Sequence, residues 1–476
     1  MAARAFHAAV DLGAGSGRVF VGDVGPAAAR LEEAHRFHYP PRPLDGHLRW
    51  DIAQLFDGLR NGLRLAADAA HAAGGELVAA GVDAWGVDYG LIDADGLLVE
   101  DPVCYRDERT SGLMDYVFAR VPREAIFQAT GIQFLQFNTL FQLAAHAREG
   151  LPPRVSRLLL MPDLCHHLLC GSLTCERTNA STTQLLNART GEWDGELLSR
   201  AGWPRALMPD LVDAGTDLGE LAPEPRRAFG LPSLRIVAPA THDTASAVVG
   251  TPLEPGWAYI SSGTWSLVGV ERDAPLVGED VLRANFTNER GAGGTIRLLK
   301  NVMGLWVLES CRREWRAAGL DDDLPRLLAR VTATPGVAPL IDPDAPRFFN
   351  PPSMLEELRA ALAQNGHRAP DDPVFLTKVI LDSLAARYAS VVQTIEKLTG
   401  TRIPGVHVVG GGSQNDYLNQ ATANATGRPV VAGPVEAAAL GNLLMQSLAY
   451  GKISSIAEGR RVIATSLALR RFEPSR

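Results

Sequence analysis

The sequence predicts an α/β protein of two domains that repeat one architecture, on three observations. The chain has 476 residues, more than one hydrophobic core holds, so two domains of roughly 200 residues each are expected. Strand-like runs alternate with helix-like runs in both halves, the pattern of an α/β fold. Two small-residue turns, each set between strand-like runs, open the two halves: Asp11-Leu12-Gly13-Ala14-Gly15-Ser16-Gly17-Arg18 and Ser261-Ser262-Gly263-Thr264-Trp265-Ser266.

The elements follow in order. Ala8 to Val10 and Val19 to Val21 flank the first turn. Glycine there lets a phosphate come close and leaves backbone N–H groups free to meet it. The Asp11 carboxylate beside the turn suits a divalent metal. A helix is expected from Ile52 to Ala73, because Leu55, Leu59, Leu63 and Ala66 fall at helical spacing. Leu77 to Val82 reads as a buried strand running into Asp83-Ala84-Trp85-Gly86-Val87-Asp88-Tyr89-Gly90. Residues 137–171 read as mostly helical, and Ile236 to Ala240 as a strand ending in Thr241-His242-Asp243-Thr244. Prolines and glycines at 250–256 mark the boundary between halves. In the second half, a long helix is expected from Pro373 to Leu398. The strand Gly405 to Val409 ends in Gly410-Gly411-Gly412-Ser413, and helices follow from about Asn415 to Ala425 and from Val435 to Ala449. Residues 318–372, rich in Pro, Asp and Ala, read as an irregular connection or a peripheral helix pair.

Composition excludes several classes. Hydrophobic residues make up 46% and charged residues 21%, as in an ordinary globular protein. A net charge of -8 without a basic domain argues against nucleic acid as the ligand. No apolar run approaches the ~18 residues of a membrane span, and no signal-peptide core follows Met1. Five cysteines, an odd number over a long chain, fit reduced thiols and a cytoplasmic location.

Asp243 stands just past the C-terminal end of a strand, where open α/β sheets bind ligands. It is the one acid between Ala238 and Ala247. It suits a base that accepts a proton from a substrate hydroxyl, and equally a cap for a helix beginning at Thr244; the two roles can coexist. The Gly410–Ser413 turn suits an anion or a polar ring edge at a helix start, or simply a tight turn. Neither GxGxxG nor GxxxxGK[ST] occurs, so a nucleotide would be held in another way. Trp85, Gly86 and Asp88 suit a sugar, whose C–H faces pack on rings while its hydroxyls hydrogen-bond; the plainer reading is a Trp packed at the domain base. Tyr105-Arg106-Asp107-Glu108-Arg109-Thr110 reads as a solvated loop or a polyol network. Cys165, His166, His167, Cys170 and Cys175 raise a zinc site, but Leu164, Leu168 and Leu169 interleave them at helical spacing and favour a buried helix face.

Taken in this order, the motifs resemble the FGGY carbohydrate kinase family of the actin/hexokinase superfamily. They are residues 10–18, Gly-Val-Asp-Ala-Trp-Gly-Val-Asp-Tyr at 81–89, 105–110, Thr-Asn-Ala-Ser-Thr-Thr-Gln at 178–184, Thr-His-Asp-Thr-Ala-Ser-Ala at 241–247, 262–267, Leu-Lys-Asn-Val-Met-Gly-Leu-Trp at 299–306 and 410–415. The resemblance implies two actin-like (ribonuclease H-like) domains with a ligand cleft between them: a sugar-binding domain at 1–250 and a nucleotide-binding domain at 251–476. The His-Asp-Thr and Gly-Thr-Trp-Ser versions are similar to the branch that phosphorylates the 1-hydroxyl of L-rhamnulose with ATP. Other ketoses or polyols (L-fuculose, L-xylulose, glycerol) and a non-enzymatic sugar sensor are the alternatives.

By the same resemblance Asp243 is the catalytic base. Gly86, His242, Asp243, Thr244 and Asn301 meet the sugar. Ala14, Gly15, Ser16, Gly17 and Arg18 form the first phosphate loop, Thr264 belongs to the second, and Gly411 lies on the adenosine side. Glu309 stands near the nucleotide where the branch often has Gln, and Gly15 where it commonly has Ser. Asp11 would face Mg²⁺ through water. The expected partners are small molecules, not nucleic acid or membrane, with monomer and dimer both open.

Overall fold

A computed structural model describes residues 4–475. The chain divides into two compact units. The first comprises residues up to Pro252 together with Glu271–Leu298 and Ala437–Leu467, and the second Leu253–Val270, Leu299–Glu436 and the chain from Ala468 onward. The linear division at 250/251 thus differs from the spatial one in two segments.

The first unit is built on a six-stranded sheet. Its spatial order is Thr216–Glu220, Arg235–Ala238, Gly75–Ala84, Arg4–Gly13, Ser16–Val24 and Ala29–His38. The last three form an antiparallel meander. Arg4–Gly13, Gly75–Ala84 and Arg235–Ala238 run parallel, and Thr216–Glu220 closes the edge antiparallel. The parallel strands read as nearly continuous apolar runs because both their faces are covered. The helix Ile52–Ala72 lays Leu55, Leu59, Leu63 and Ala66, all fully buried, against the hairpin strands. Asp51 caps its start by accepting from Gln54 N at 2.9 Å.

The second unit repeats the plan. The hairpin of Ala258–Ser262 and Trp265–Arg272 is antiparallel, Ala258–Ser262 runs parallel to Val406–Val409 and that to Val430–Ala432, and Arg470–Phe472 closes antiparallel. The strand Ile296–Met303, whose residues from 299 onward belong to this unit, lies on the far side of the hairpin. The helices Pro373–Thr399 and Asp416–Thr426 pack on each other.

Two elements depart from expectation. Residues 137–171 are mostly helical as expected, in helices Thr139–Glu149 and Met161–Cys170, but an unexpected strand, Val155–Leu160, lies between them. The strand Ser-Arg-Leu-Leu-Leu gives no periodicity that separates it from a helix; its pairing with Tyr89–Asp93 decides it. The small-residue helix near the C-terminus, Ala437–Ala449, belongs to the first unit. Gly441 explains why: a Cβ there would lie 1.8 Å from Ser246 O, and one at Gly250 2.1 Å from Ala437 O. Backbone meets backbone, so this helix seats directly on the helix Asp243–Val249.

Candidate active site

In the first unit, three carboxylates gather at the C-terminal edge of neighbouring strands. Asp11 and Asp83 face each other in parallel register, and Ala84 bridges to His242, the residue before Asp243. This is the edge at which open α/β sheets bind ligands.

Asp243 opens the helix Asp243–Val249, with His242 in the cap position. The expected start at Thr244 is thus one residue late, and Asp243 is the first helical residue rather than the cap. Its Oδ1 accepts from Thr244 N at 2.5 Å and Thr244 Oγ1 at 3.2 Å. The side chain keeps 31% exposure. Burial of its surroundings raises its pKa, His242 opposes the shift, and the Asp11 charge adds to it. A carboxyl raised in this way, with one oxygen held and a face open, can accept a hydroxyl proton.

Asp83 is fully buried. Its Oδ2 accepts from Asn442 Nδ2 at 2.6 Å, while Oδ1 has no hydrogen-bond partner. Asn442 also donates to Gly81 O at 3.1 Å, and Gln446 Nε2 reaches Asn442 Oδ1 at 2.7 Å and Ala8 O at 2.8 Å. The helix Ala437–Ala449 thereby ties the two strands that carry Asp11 and Asp83. Burial above all, then the Asp11 charge, pushes the Asp83 pKa well up, with Asn442 opposing. Burial therefore favours the neutral form of Asp83.

Around the first turn, Ala14 and Gly15 form the hairpin tip and Gly15 takes φ +112°, a conformation open to glycine. Ser16, Gly17 and Arg18 already lie in the second strand. Tyr39 pins the tip: its OH donates to Gly13 O at 2.6 Å and its N–H to Gly15 O at 3.0 Å. Gly17 has a packing reason, since a Cβ there would meet the Phe37 ring at 2.4 Å. Arg18 pairs with Asp11 Oδ2 at 2.5 Å, so part of its donor capacity is engaged within the hairpin.

The segment after Gly75–Ala84 turns sharply. Asp88 N donates to Gly86 O at 3.0 Å across Val87, which has φ +70°. This is a γ-turn with a β-branched residue at the strained centre. It is held from both sides: Val87 N donates to Thr182 Oγ1 at 3.1 Å, and Val87 O accepts from Thr139 Oγ1 at 2.7 Å. A Cβ at Gly86 would come within 2.8 Å of Thr182 Oγ1, so glycine is required there. Asp88 fixes the aromatic wall. It accepts from Trp50 Nε1 at 2.7 Å and Trp85 Nε1 at 2.9 Å, and the two indoles lie 4.7 Å apart. A turn held in a strained conformation needs surroundings that over-determine it, and these contacts do so.

His242 has partners that sequence reasoning missed. Arg297 Nη2 lies 3.0 Å from its Nδ1, Glu289 Oε2 lies 3.4 Å from the same nitrogen, and Asp243 Oδ1 lies 3.4 Å from Nε2. Burial alone would raise the Glu289 pKa, but the neighbouring His242 and the Arg297 charge outweigh it and hold it low. The available signal was a charge inside an apolar strand pattern, Ile296-Arg297-Leu298-Leu299. Asp83 had a weaker signal, a carboxylate at the end of a buried run.

The second unit carries the other expected residues. Thr264 is exposed at the tip of the second hairpin, and its carbonyl accepts from Gly304 N at 3.1 Å and Trp306 N at 3.2 Å. The glycine run packs on that hairpin. A Cβ at Gly412 would lie 2.0 Å from Ser262 Oγ and one at Gly410 2.8 Å from Ser262 O, whereas Gly411 has open space. Of the three glycines, Gly411 is the one whose missing side chain leaves room for a ligand. Asn301 lies half-buried in the strand Ile296–Met303. Glu309 sits on the exposed face of the helix Trp306–Ala317 and pairs with Arg312 at 2.6 Å. That ion pair gives its carboxylate a partner within its own helix. Asn301, Thr264, Glu309 and Gly411 belong to a different unit from Asp243.

No group of three or more His, Cys, Asp or Glu side chains that could hold a metal ion occurs among the described residues. His166 instead accepts from Val82 N at 3.1 Å, and Cys165 is buried beside it. With Arg18 on Asp11 Oδ2, the donor set fits a magnesium ion that arrives with phosphate oxygens and keeps its water, rather than an all-protein cage. No described helix is long and apolar enough to cross a membrane.

Two sheets of this strand order, one in each unit, make the actin-like (ribonuclease H-like) fold. The model of the FGGY family of carbohydrate kinases, N-terminal domain, matches residues 6–250, and that of the C-terminal domain matches 258–450. The chain belongs to the FGGY family of carbohydrate kinases. It is 44% identical over 471 residues to a rhamnulokinase of Pectobacterium carotovorum subsp. carotovorum (strain PC1), covering 98% of this chain and 92% of that protein. A rhamnulokinase of Bacteroides thetaiotaomicron is 40% identical, with 98% and 95% covered. Among solved structures, a ligand-bound xylulose kinase from Lactobacillus acidophilus superposes with TM-score 0.80 at 16% identity, covering 99% of this chain and 94% of that one. Plasmodium falciparum glycerol kinase with ADP gives 0.77 at 14% identity, covering 100% and 95%. At these identities the structures speak for the fold.

Proposed function

We propose that this chain transfers the terminal phosphoryl group of ATP to the 1-hydroxyl of L-rhamnulose, giving L-rhamnulose 1-phosphate. The observation that carries the choice of sugar is the 40–44% identity to proteins named rhamnulokinase over 98% of the chain. The geometry around Asp243 supports its reading as the base.

In this reading the sugar is held by Gly86, His242, Thr244 and Asn301. Asp243 takes the hydroxyl proton as the oxygen attacks, a role commonly contributing about 10²–10⁴-fold. Phosphoryl transfer otherwise depends on positioning and charge neutralisation. The first unit is then the sugar-binding part and the second the nucleotide-binding part. Ala14 and Gly15 offer backbone N–H groups to phosphate, with Ser16, Gly17 and Arg18 behind them; Thr264 serves the second hairpin in the same way, and Gly411 leaves room for the nucleoside. Glu309, with Arg312 as partner, would face the nucleotide through an adenine amino group rather than phosphate. Magnesium bound with the nucleotide would offset phosphate charge, and Asp11 is the residue that would hold it, through water. Five free cysteines and dependence on ATP suit a cytoplasmic enzyme.

The test is a panel of L-rhamnulose, L-fuculose, L-xylulose and glycerol, scored as ADP release per enzyme. L-rhamnulose should give the highest kcat/KM. A different preferred substrate would move the chain to another branch of its family, and ADP release with none of them would refute a kinase of this substrate class.

A further inference from the structure

We propose that Arg297 and Glu289 are positioning residues for the proton transfer. They hold His242 as the neutral imidazole with its proton on Nε2, presented to Asp243 Oδ1. The proposal rests on the reading of Asp243 as the base.

A guanidinium only donates and stays charged at any working pH. Arg297 Nη2 stands 3.0 Å from His242 Nδ1, so that nitrogen must offer its lone pair. In a neutral imidazole the single proton then sits on Nε2. Nε2 is the nitrogen 3.4 Å from Asp243 Oδ1. Thr244 N and Thr244 Oγ1 converge on the same oxygen. Two donors from Thr244 hold Oδ1 and His242 Nε2 stands beside it, which leaves Oδ2 as the oxygen for a substrate hydroxyl.

Glu289 completes the device. Arg297 is fully buried and needs a counter-charge; Glu289 Oε2 lies 3.2 Å from its Nη2. That same oxygen lies 3.4 Å from His242 Nδ1 and would attract a proton there. With Arg297 in place the closer donor claims Nδ1 and the tautomer is decided. Without it, Glu289 would draw a second proton onto the ring. The imidazolium would then pair with Asp243 and weaken it as a base.

Other charged groups bear on this pair from every side. Asp11, with its partner Arg18, comes from the first hairpin, and Asp83 comes from the adjoining strand. Glu176 accepts from Thr241 N at 2.9 Å. These groups are common to wild type and variants, so their effect cancels in the comparison below.

The experiment has two readouts on the full chain. First, ¹⁵N-histidine NMR, with His242 assigned by loss of its signal in His242→Gln, should show a neutral ring protonated at Nε2. A neutral ring protonated at Nδ1 overturns the proposal. Second, Arg297→Met should move the acid limb of the kcat–pH profile upward by about one pH unit or more, with a smaller change in sugar KM. The double variant Glu289→Gln/Arg297→Met removes both charges and should bring the limb back. An unmoved limb in Arg297→Met, or no return in the double variant, overturns the proposal. If the single variant does not fold because Glu289 is left buried and unpaired, the wild-type tautomer decides. The NMR readout is independent of turnover, so a chain that phosphorylates no sugar but shows the Nε2 tautomer loses the functional reading alone.

Discussion

His7 makes the protein sensitive to acid by an amount that can be worked out. Its ring is fully buried in the first strand, neither nitrogen has a hydrogen-bond partner, and the Tyr450 ring lies 5.1 Å away. Burial, with the Lys452 charge adding, lowers its pKa from 6.5 to about 3. The unfolded chain therefore binds this proton more readily than the folded one. Stability from the neutral ring is complete above the unfolded value and falls as pH drops toward 3. The slope is about 1.4 kcal/mol per pH unit, so at about pH 5 the loss is on the order of 2 kcal/mol. His7→Phe puts a ring of similar shape there that cannot titrate. The measurement is urea unfolding of both proteins at about pH 7 and about pH 5, followed on the transition that differs between them, because two units need not unfold together. The variant should gain about 2 kcal/mol relative to wild type on acidification, while the other histidines cancel in the difference. An offset between the two proteins that is equal at both pH values would refute a buried, neutral His7.

Four further outcomes follow from the site. Asp243→Asn should lower kcat by about 10²–10⁴-fold while circular dichroism and ATP binding stay as in wild type; turnover near wild type would remove Asp243 from the reaction. Asp83→Asn should be tolerated, with stability within about 1 kcal/mol of wild type, because a neutral amide replaces a carboxyl whose burial favours its neutral form and still accepts from Asn442; thermal melts and kcat check this. Gly411→Ala should fold normally but raise KM for ATP, whereas Gly412→Ala should be destabilised, since its Cβ would lie 2.0 Å from Ser262 Oγ; equal melting temperatures would contradict the packing. Glu309→Gln loses only a half-exposed pair with Arg312, costing less than about 1 kcal/mol, and an unchanged KM for ATP would show that the carboxylate does not meet the nucleotide.

Much of this was legible in the sequence because local pattern and tertiary structure agree. The helix expected from Ile52 to Ala73 is found at Ile52–Ala72, and the one from Asn415 to Ala425 at Asp416–Thr426 with Asn415 as its cap. Strong periodicity and an unambiguous cap leave little for packing to override. The peripheral helix pair within 318–372 is there, as Leu324–Ala333 and Met354–Gln364. What was not legible depends on contacts across hundreds of residues. Nothing local in Ala437–Ala449 says that it packs on Asp243–Val249; only the meeting of Gly441 with Ser246 O says so. Arg297 and Glu289 are ordinary charges until His242, some fifty residues away in the chain, is placed beside them. The γ-turn at Val87 was invisible for a different reason: a β-branched residue at φ +70° opposes its own preference, and Thr182 and Thr139 hold it there.

The feature that joins fold to chemistry is the repetition of three positions. In each unit a hairpin is followed by a parallel strand and then by a second parallel strand, and the tip and the two strand ends lie in register at one edge. In the first unit these positions are Ala14–Gly15, Trp85–Asp88 and Thr241–Asp243; in the second the tip is Gly263–Thr264 and the first strand end is Gly410–Gln414. The same backbone has been given opposite contents. The first unit fills its edge with carboxylates, an imidazole and a braced aromatic wall, groups that exchange protons with and hydrogen-bond to hydroxyls. The second leaves glycines and a threonine, with open space at Gly411 alone of the Gly410–Gly412 run. In the proposed reading a kinase needs one site that activates a hydroxyl and one that holds a phosphate-bearing donor, and duplication of a single sheet edge would supply a frame for both. The helix Ala437–Ala449 follows the last of the parallel strands in the second unit, yet it braces Asp83 and the Asp243 helix in the first. The chain that builds the second sheet thus continues directly into the element that braces the Asp243 helix.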